Sequence, residues 1–126
     1  MDQTRKHYLL EQLVADLCAE RGIETLDHAS SDELWSAFRA LVNTRAPEPA
    51  SHTWLEMQDE LLQGMISEKG IASVDDTTPS PANPQLRLWR GDITTLAAAA
   101  IVNAANSQML GCWVPGHHCI DNAIHT

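Results

Sequence analysis

Two cysteines and a histidine near the end of the chain are the residues best suited to chemistry. Cys112, His117 and Cys119 fall within one short window, and thiolates and imidazoles are preferred zinc ligands. Three protein ligands leave one position of a tetrahedral zinc ion open, as in catalytic sites, whereas structural sites usually have four. His118 is an alternative imidazole ligand. The same spacing also fits two unlinked free cysteines beside an exposed histidine pair.

Polar residues around this group are candidates for ligand binding. Asp92 follows a glycine after a predicted strand, where a carboxylate either accepts a hydrogen bond from a ligand or caps the next turn. Asn103 and Asn106 bracket two alanines after an apolar run, and their amides suit either a ligand hydroxyl or a polar turn. Asp121 either caps the last predicted helix or belongs with free backbone N–H groups that face a phosphate.

Three predicted helices precede these residues and form a helical segment over 1–72. Apolar residues at helical spacing predict the first helix over 4–21. Ser30 and Glu33 have the spacing of a capping box at the start of the second. The third is predicted to start near Ser51 and to end before Gly70.

The composition changes after the helices. The proline-rich segment 73–85 has no apolar period and is predicted to be a linker. The region 86–126 then has strand-and-loop character: Leu86–Trp89 alternates like a strand, and Ala98–Val102 suits a strand buried on both faces. A last helix is predicted from near His118 to the final residue. We therefore expect a helical extension followed by an incomplete α/β domain, because so few elements cannot enclose a core.

The charge distribution argues against several classes of partner. The net charge is −9, and 15 of the 17 acidic residues lie before position 86, whereas the two acids and two bases after it cancel. No basic cluster suits nucleic acid, and the longest apolar run, of seven residues, is too short to span a membrane. Without a signal peptide and with an odd cysteine count, a cytoplasmic protein without disulfides is expected.

Two segments of the second half resemble the opening signatures of the macrodomain family, whose members bind ADP-ribose. These segments are Trp89–Thr94 and Ile101–Ser107. The following stretch, Met109–His125, is similar to the zinc-dependent bacterial branch of protein-ADP-ribose hydrolases, which also carries an N-terminal helical extension. The detailed resemblance covers 86–126, and the helical segment matches only in kind. The implied fold is the first part of an α/β/α sandwich.

The resemblance also implies roles for single residues. Asp92 would accept a hydrogen bond from the adenine amino group, and Ile93 would contribute its backbone. Asn106 would hold the distal ribose beside the scissile bond and is the candidate catalytic residue, whereas Asn103 more plausibly shapes the loop. The implied diphosphate contacts come from the backbone of Cys119, Ile120 and Asp121.

The implied cofactor is one Zn²⁺ per chain, bound by Cys112, His117 and Cys119. The implied reaction is hydrolysis of mono-ADP-ribose from a modified protein side chain. The resemblance points to a carrier protein like the glycine-cleavage H protein as substrate, and to a partner sirtuin that modifies it.

Two other functions compete with this one. The chain could be an ADP-ribose-binding module whose zinc is only structural, or its helical segment could be a protein-interaction domain. Macrodomains also use a later glycine-rich loop, and this sequence contains no counterpart. We therefore expect weak or absent hydrolysis by this chain alone.

Overall fold

A computed structural model describes all 126 residues as four α-helices and four very short strands. The helices are α1 (Gln3–Arg21), α2 (Ser31–Val42), α3 (His52–Lys69) and α4 (Ile120–His125). The strands are β1 (Ala72–Ser73), β2 (Thr78–Pro79), β3 (Arg87–Leu88) and β4 (Leu96–Ala97). Single 3₁₀ turns cover Val74–Asp76 and Ile93–Thr95. No helix combines the length and the apolar character that crossing a membrane requires.

Local signals in the sequence account for the ends of the first three helices. Gly22 follows α1 with a φ of 63°, the left-handed conformation that glycine adopts at low cost. At the start of α2 the Glu33 carboxylate accepts a hydrogen bond from the Ser30 N–H at 2.8 Å, and the Ser30 hydroxyl accepts one from the Glu33 N–H. The Ser51 hydroxyl accepts from the Trp54 N–H at the start of α3. These contacts confirm the three predicted helices.

The buried core lies entirely between α1, α2 and α3. Phe38 is fully buried, with the ring of Trp35 at 5.5 Å and that of Trp54 at 6.4 Å between centroids. The ten buried apolar residues are Leu9, Leu10, Leu13, Val14, Leu17, Cys18, Leu34, Phe38, Trp54 and Leu61. The buried cluster thus ends at position 61, and no residue after α3 belongs to it or packs against it.

The strands form two separate two-stranded ladders. β1 pairs in parallel with β4, with Ala72 opposite Leu96, and β2 pairs antiparallel with β3, with Thr78 opposite Leu88. The strand predicted over Leu86–Trp89 is therefore present as β3. The segment predicted as a linker supplies β2 and part of β1, so it contacts the second half of the chain rather than only joining the two regions. The whole is a mixture of helices and small sheets that is compatible with part of an α/β fold.

The predicted buried strand at Ala98–Val102 is wrong. β4 ends at Ala97, the residues after it have no strand partner, and Val102 is 93% exposed. A strand buried on both faces needs a neighbour along each edge and a layer over each face. β1 alone lies beside β4, and only over two residues. The apolar run is therefore irregular backbone on the surface, with a bend at Ala99.

Candidate metal and ligand site

The structure brings the predicted metal ligands together. One ligand atom from each of Cys112, His117 and Cys119 lies within 4.8 Å of the other two. The Cys112 Sγ is 3.2 Å from the His117 Nδ1. Both cysteines are half-buried, His117 is exposed, and neither cysteine is in a disulfide. This group could hold a metal ion.

The donor set and its spacing suit zinc. Ligand atoms around a tetrahedral zinc with sulfur and nitrogen donors are about 3.5–3.8 Å apart, given the usual bond lengths. The separations between the three ligand atoms differ from this range by no more than about 1 Å. Cys119 is also the N-cap of α4, where its Sγ accepts the Asn122 N–H at 3.4 Å. This contact fixes the position of the Cys119 Sγ at the start of α4.

Asn106 shapes the loop that carries the first cysteine. Its Nδ2 donates to the Gly111 carbonyl at 2.8 Å, and its Oδ1 accepts from the Gln108 N–H at 3.0 Å. Both ends of the amide are thus engaged within the loop next to Cys112. The catalytic, ribose-holding role of Asn106 remains a prediction.

Asp92 is held at the start of the 3₁₀ turn that follows it. Its Oδ1 accepts from the Thr94 N–H and hydroxyl at 3.1 and 2.6 Å, and its Oδ2 accepts from the Lys69 ammonium at 3.0 Å. The Thr94 hydroxyl, followed by the Lys69 ammonium, lowers the pKa of Asp92 below its usual value. The capping role considered for this residue is present in the structure, and its role towards a ligand remains a prediction.

Asp121 is buried and joins the loop after β4 to α4. Its Oδ1 accepts from the Asn103 Nδ2 at 2.8 Å and lies 3.3 Å from the His125 Nδ1. Asn103 therefore ties the loop after β4 to α4.

A cavity of about 690 Å³ lies between α2, α3, α4 and the 3₁₀ turn at 93–95. Its size and mostly apolar lining are typical of small-molecule sites. Three predicted site residues, Asp92, Ile93 and Cys119, line it together with Trp35 and Arg39 from α2. The lining does not include the remaining predicted residues, which are Asn106, Cys112, His117, Ile120 and Asp121.

Sequence reasoning missed the contribution of α2. Arg39 and Asn43 lie one helical turn apart and both contact the side chain of Asn122 in α4. Their partners are about 80 positions further along the chain. No local spacing could reveal such a contact, and the only signal was two polar residues beside the apolar stripe of α2.

Comparison with known proteins identifies relatives over nearly the whole chain. The chain is 44% identical over 124 residues to a protein-ADP-ribose hydrolase of Treponema medium, a match that covers 97% of this chain and 47% of the relative. It is 40% identical over 119 residues to a protein-ADP-ribose hydrolase of Staphylococcus aureus, covering 93% of this chain and 44% of the relative. The chain is a partial homologue of the protein-ADP-ribose hydrolases. No family model matches it.

The likeness to the protein-ADP-ribose hydrolases includes both the helical segment and the metal-ligand segment, because it covers nearly every residue. A probable bifunctional ADP-ribose hydrolase/ADP-ribosyltransferase of Fusarium oxysporum f. sp. cubense is 37% identical over 109 residues, covering 79% of this chain and 18% of that protein. The chain spans a little under half the length of the two bacterial relatives.

Gly111 precedes the candidate ligand Cys112, and among the glycines with positive φ it alone has neighbours that an added Cβ would meet. Its φ is 84°, and an added Cβ would lie 3.0 Å from the His125 Cγ. We expect Gly111→Ala to displace Cys112 and to weaken metal binding, measured by competition with a chelator. Gly116→Ala is the matched control: its φ of 67° carries a similar strain of about 1–2 kcal/mol, but open space surrounds the added methyl. Equal metal affinity in the two variants would contradict this role of Gly111.

Proposed function

We propose that the chain is the metal-binding and ADP-ribose-binding part of a protein-ADP-ribose hydrolase. In this proposal residues 1–72 are a helical extension, 73–85 a linker, and 86–126 the opening part of a macrodomain with an α/β/α plan. The observation that carries the proposal is the convergence of Cys112, His117 and Cys119 within 4.8 Å. It occurs in a chain that shares 44% identity with a protein named for this activity.

The proposed cofactor is a single zinc ion held by these three side chains. Three protein ligands leave an open position, and zinc bound in this way lowers the pKa of a coordinated water towards about 7 and polarises a nearby oxygen. The protein's contribution is to aim the ligands. The Asn106 amide holds the carbonyl before Cys112, and the first turn of α4 holds the Cys119 thiolate.

Three residues of the proposed ADP-ribose contacts, Asp92, Ile93 and Cys119, line the cavity beside this group, and Ile120 and Asp121 follow Cys119 in the chain. An ionised carboxylate has about four lone-pair directions, and Asp92 uses three, so Oδ2 keeps one free for the adenine amino group. The Ile93 backbone lies next to it. The first N–H groups of α4 lack acceptors within the helix, which suits the proposed contact of the backbone at Cys119, Ile120 and Asp121 with a diphosphate.

The proposed substrate is a mono-ADP-ribosylated protein, and water replaces the modified side chain at the ribose. The names of the bacterial relatives support a protein-linked ADP-ribose as substrate. The resemblance in sequence further suggests a carrier protein like the glycine-cleavage H protein and a partner sirtuin.

The activity test compares this chain with the same chain joined to the remaining half of the Treponema medium relative. The joined protein is expected to release ADP-ribose from a modified protein. The chain alone is expected to be slower by roughly 100-fold or more, since catalysis depends steeply on how the substrate is positioned. Mass spectrometry of the modified protein measures both rates. Equal turnover would show that the shorter chain is sufficient, and no turnover by a folded, zinc-loaded joined protein would contradict the proposed function.

A further inference from the structure

Arg39 of α2 reaches across to the segment that carries the metal ligands. Its Nη2 donates to the Asn122 Oδ1 at 2.8 Å and to the His117 carbonyl at 3.3 Å. Its Nη1 is 3.4 Å from the His118 Nδ1. One guanidinium group thus contacts both the backbone of a metal ligand and the helix that follows the last ligand.

The partners of Arg39 leave its charge unneutralised. Arg39 forms no ion pair with a carboxylate, and its three acceptors are an amide, a carbonyl and an imidazole. The arginines at positions 5 and 45, in contrast, each form a bidentate pair with a glutamate. Neutral groups between His117 and Asn122 therefore hold this guanidinium in place.

Asn122 links this contact to a metal ligand directly. Its side chain is fully buried, its Oδ1 accepts from Arg39 and Asn43, and its backbone N–H donates to the Cys119 Sγ. The position of the Cys119 Sγ therefore depends on Asn122, whose side chain is held by Arg39 of α2. We call residues 112–122, which carry the three candidate metal ligands, the ligand segment. Arg39 holds two points of it, the His117 carbonyl and the Asn122 side-chain amide.

We propose that Arg39 is a positioning residue for the metal group, through which the helical segment sets the affinity of the site. The inference rests on the metal binding of the proposed function. Holding both points before the metal arrives lowers the conformational entropy that binding removes. Substituting a residue that hydrogen-bonds to a metal ligand typically lowers metal affinity by about 10- to 100-fold. The helical segment then acts on the site through this contact.

The test is the zinc affinity of Arg39→Ala, measured by competition with a chromophoric chelator. We expect affinity to fall by about 10- to 100-fold, and the visible absorption of bound Co²⁺, which reports thiolate ligation and geometry, to shift. Arg45→Ala is the matched control, because Arg45 lies just beyond α2 and pairs with Glu20 without touching the ligand segment. It should leave zinc affinity and the Co²⁺ spectrum unchanged.

A second variant keeps the test decisive if Arg39→Ala does not fold. Arg39→Lys retains the charge and the length but loses the paired donors, so we expect an intermediate loss of zinc affinity. Unchanged affinity in whichever variant folds would overturn the role of Arg39. An equal loss in Arg45→Ala would also overturn it, by showing a general effect of stability. If the unaltered chain binds no metal, both this inference and the proposed metal site fail.

Discussion

Replacing Cys112 with serine is expected to abolish zinc binding, while the unaltered chain is expected to hold one zinc ion. The variant removes one of three protein ligands, and a serine hydroxyl does not ionise to replace the thiolate at neutral pH. We expect the affinity for zinc to fall by at least about 100-fold, which is more than the loss of a residue that hydrogen-bonds to a metal ligand typically causes. Metal analysis of the purified proteins after dialysis, with chelator competition for the affinity, measures the loss.

The two adjacent histidines provide a matched pair of controls. The His117 ring lies 3.2 Å from the Cys112 Sγ, whereas the His118 ring lies beside Arg39. We expect His117→Ala to lose zinc and His118→Ala to keep it. The reverse result would assign the imidazole ligand to His118. Full zinc content in both single variants and in Cys112→Ser would rule out this metal group.

The same cysteine variant separates a hydrolase from a binding module. In the joined protein described above, Cys112→Ser should reduce hydrolysis far more than ADP-ribose affinity if the zinc takes part in the reaction. A parallel fall in both would favour a structural zinc in an ADP-ribose-binding module. Calorimetric titration with ADP-ribose gives the affinity independently of turnover.

The helices were predictable because their signals are local. The capping contacts at Ser30 and Ser51 and the left-handed Gly22 involve residues at most five positions apart. The pairing of β1 with β4 joins residues 24 positions apart over only two residue pairs. A ladder this short leaves no recognisable pattern of apolar and polar residues in the sequence. The buried strand predicted over Ala98–Val102 was wrong because apolar composition predicts burial only where other elements are present to cover the residues.

The candidate site could be predicted in part for the same reason. Cys112, His117 and Cys119 are close in sequence and chemically distinctive, so their spacing offered a metal site as one of two interpretations, the other being two unlinked free cysteines. The structure adds what spacing cannot show: the Asn106 amide is used inside the loop, and Arg39 approaches from a helix far away in sequence. Residues that position ligands from a distance are ordinary surface types in the sequence, and only the side-chain hydrogen bonds between α2 and α4 reveal them.

Replacing Phe38 with alanine is expected to cause the largest loss of stability in the chain. Phe38 is fully buried between two tryptophans, and truncating such a residue typically costs about 3–5 kcal/mol. Domains have only about 5–15 kcal/mol of stability in total. We therefore expect a large shift of the denaturant midpoint, or no folded state. Circular dichroism during urea unfolding measures the free energy of unfolding.

Tyr8→Ala is the control for Phe38→Ala, because Tyr8 is exposed. A fragment of residues 1–72 shows whether the stability lost in Phe38→Ala belongs to the helical segment alone. Tyr8 is 47% exposed, with the Arg5 guanidinium over its ring, so Tyr8→Ala should cost no more than about 1 kcal/mol. Because every buried apolar residue of the core lies in α1–α3, a 1–72 fragment should unfold cooperatively and lose about as much stability from Phe38→Ala as the whole chain does. A fragment without a cooperative transition would show that the helical segment needs the second half to fold, and would contradict both the proposed boundary and an independent interaction domain.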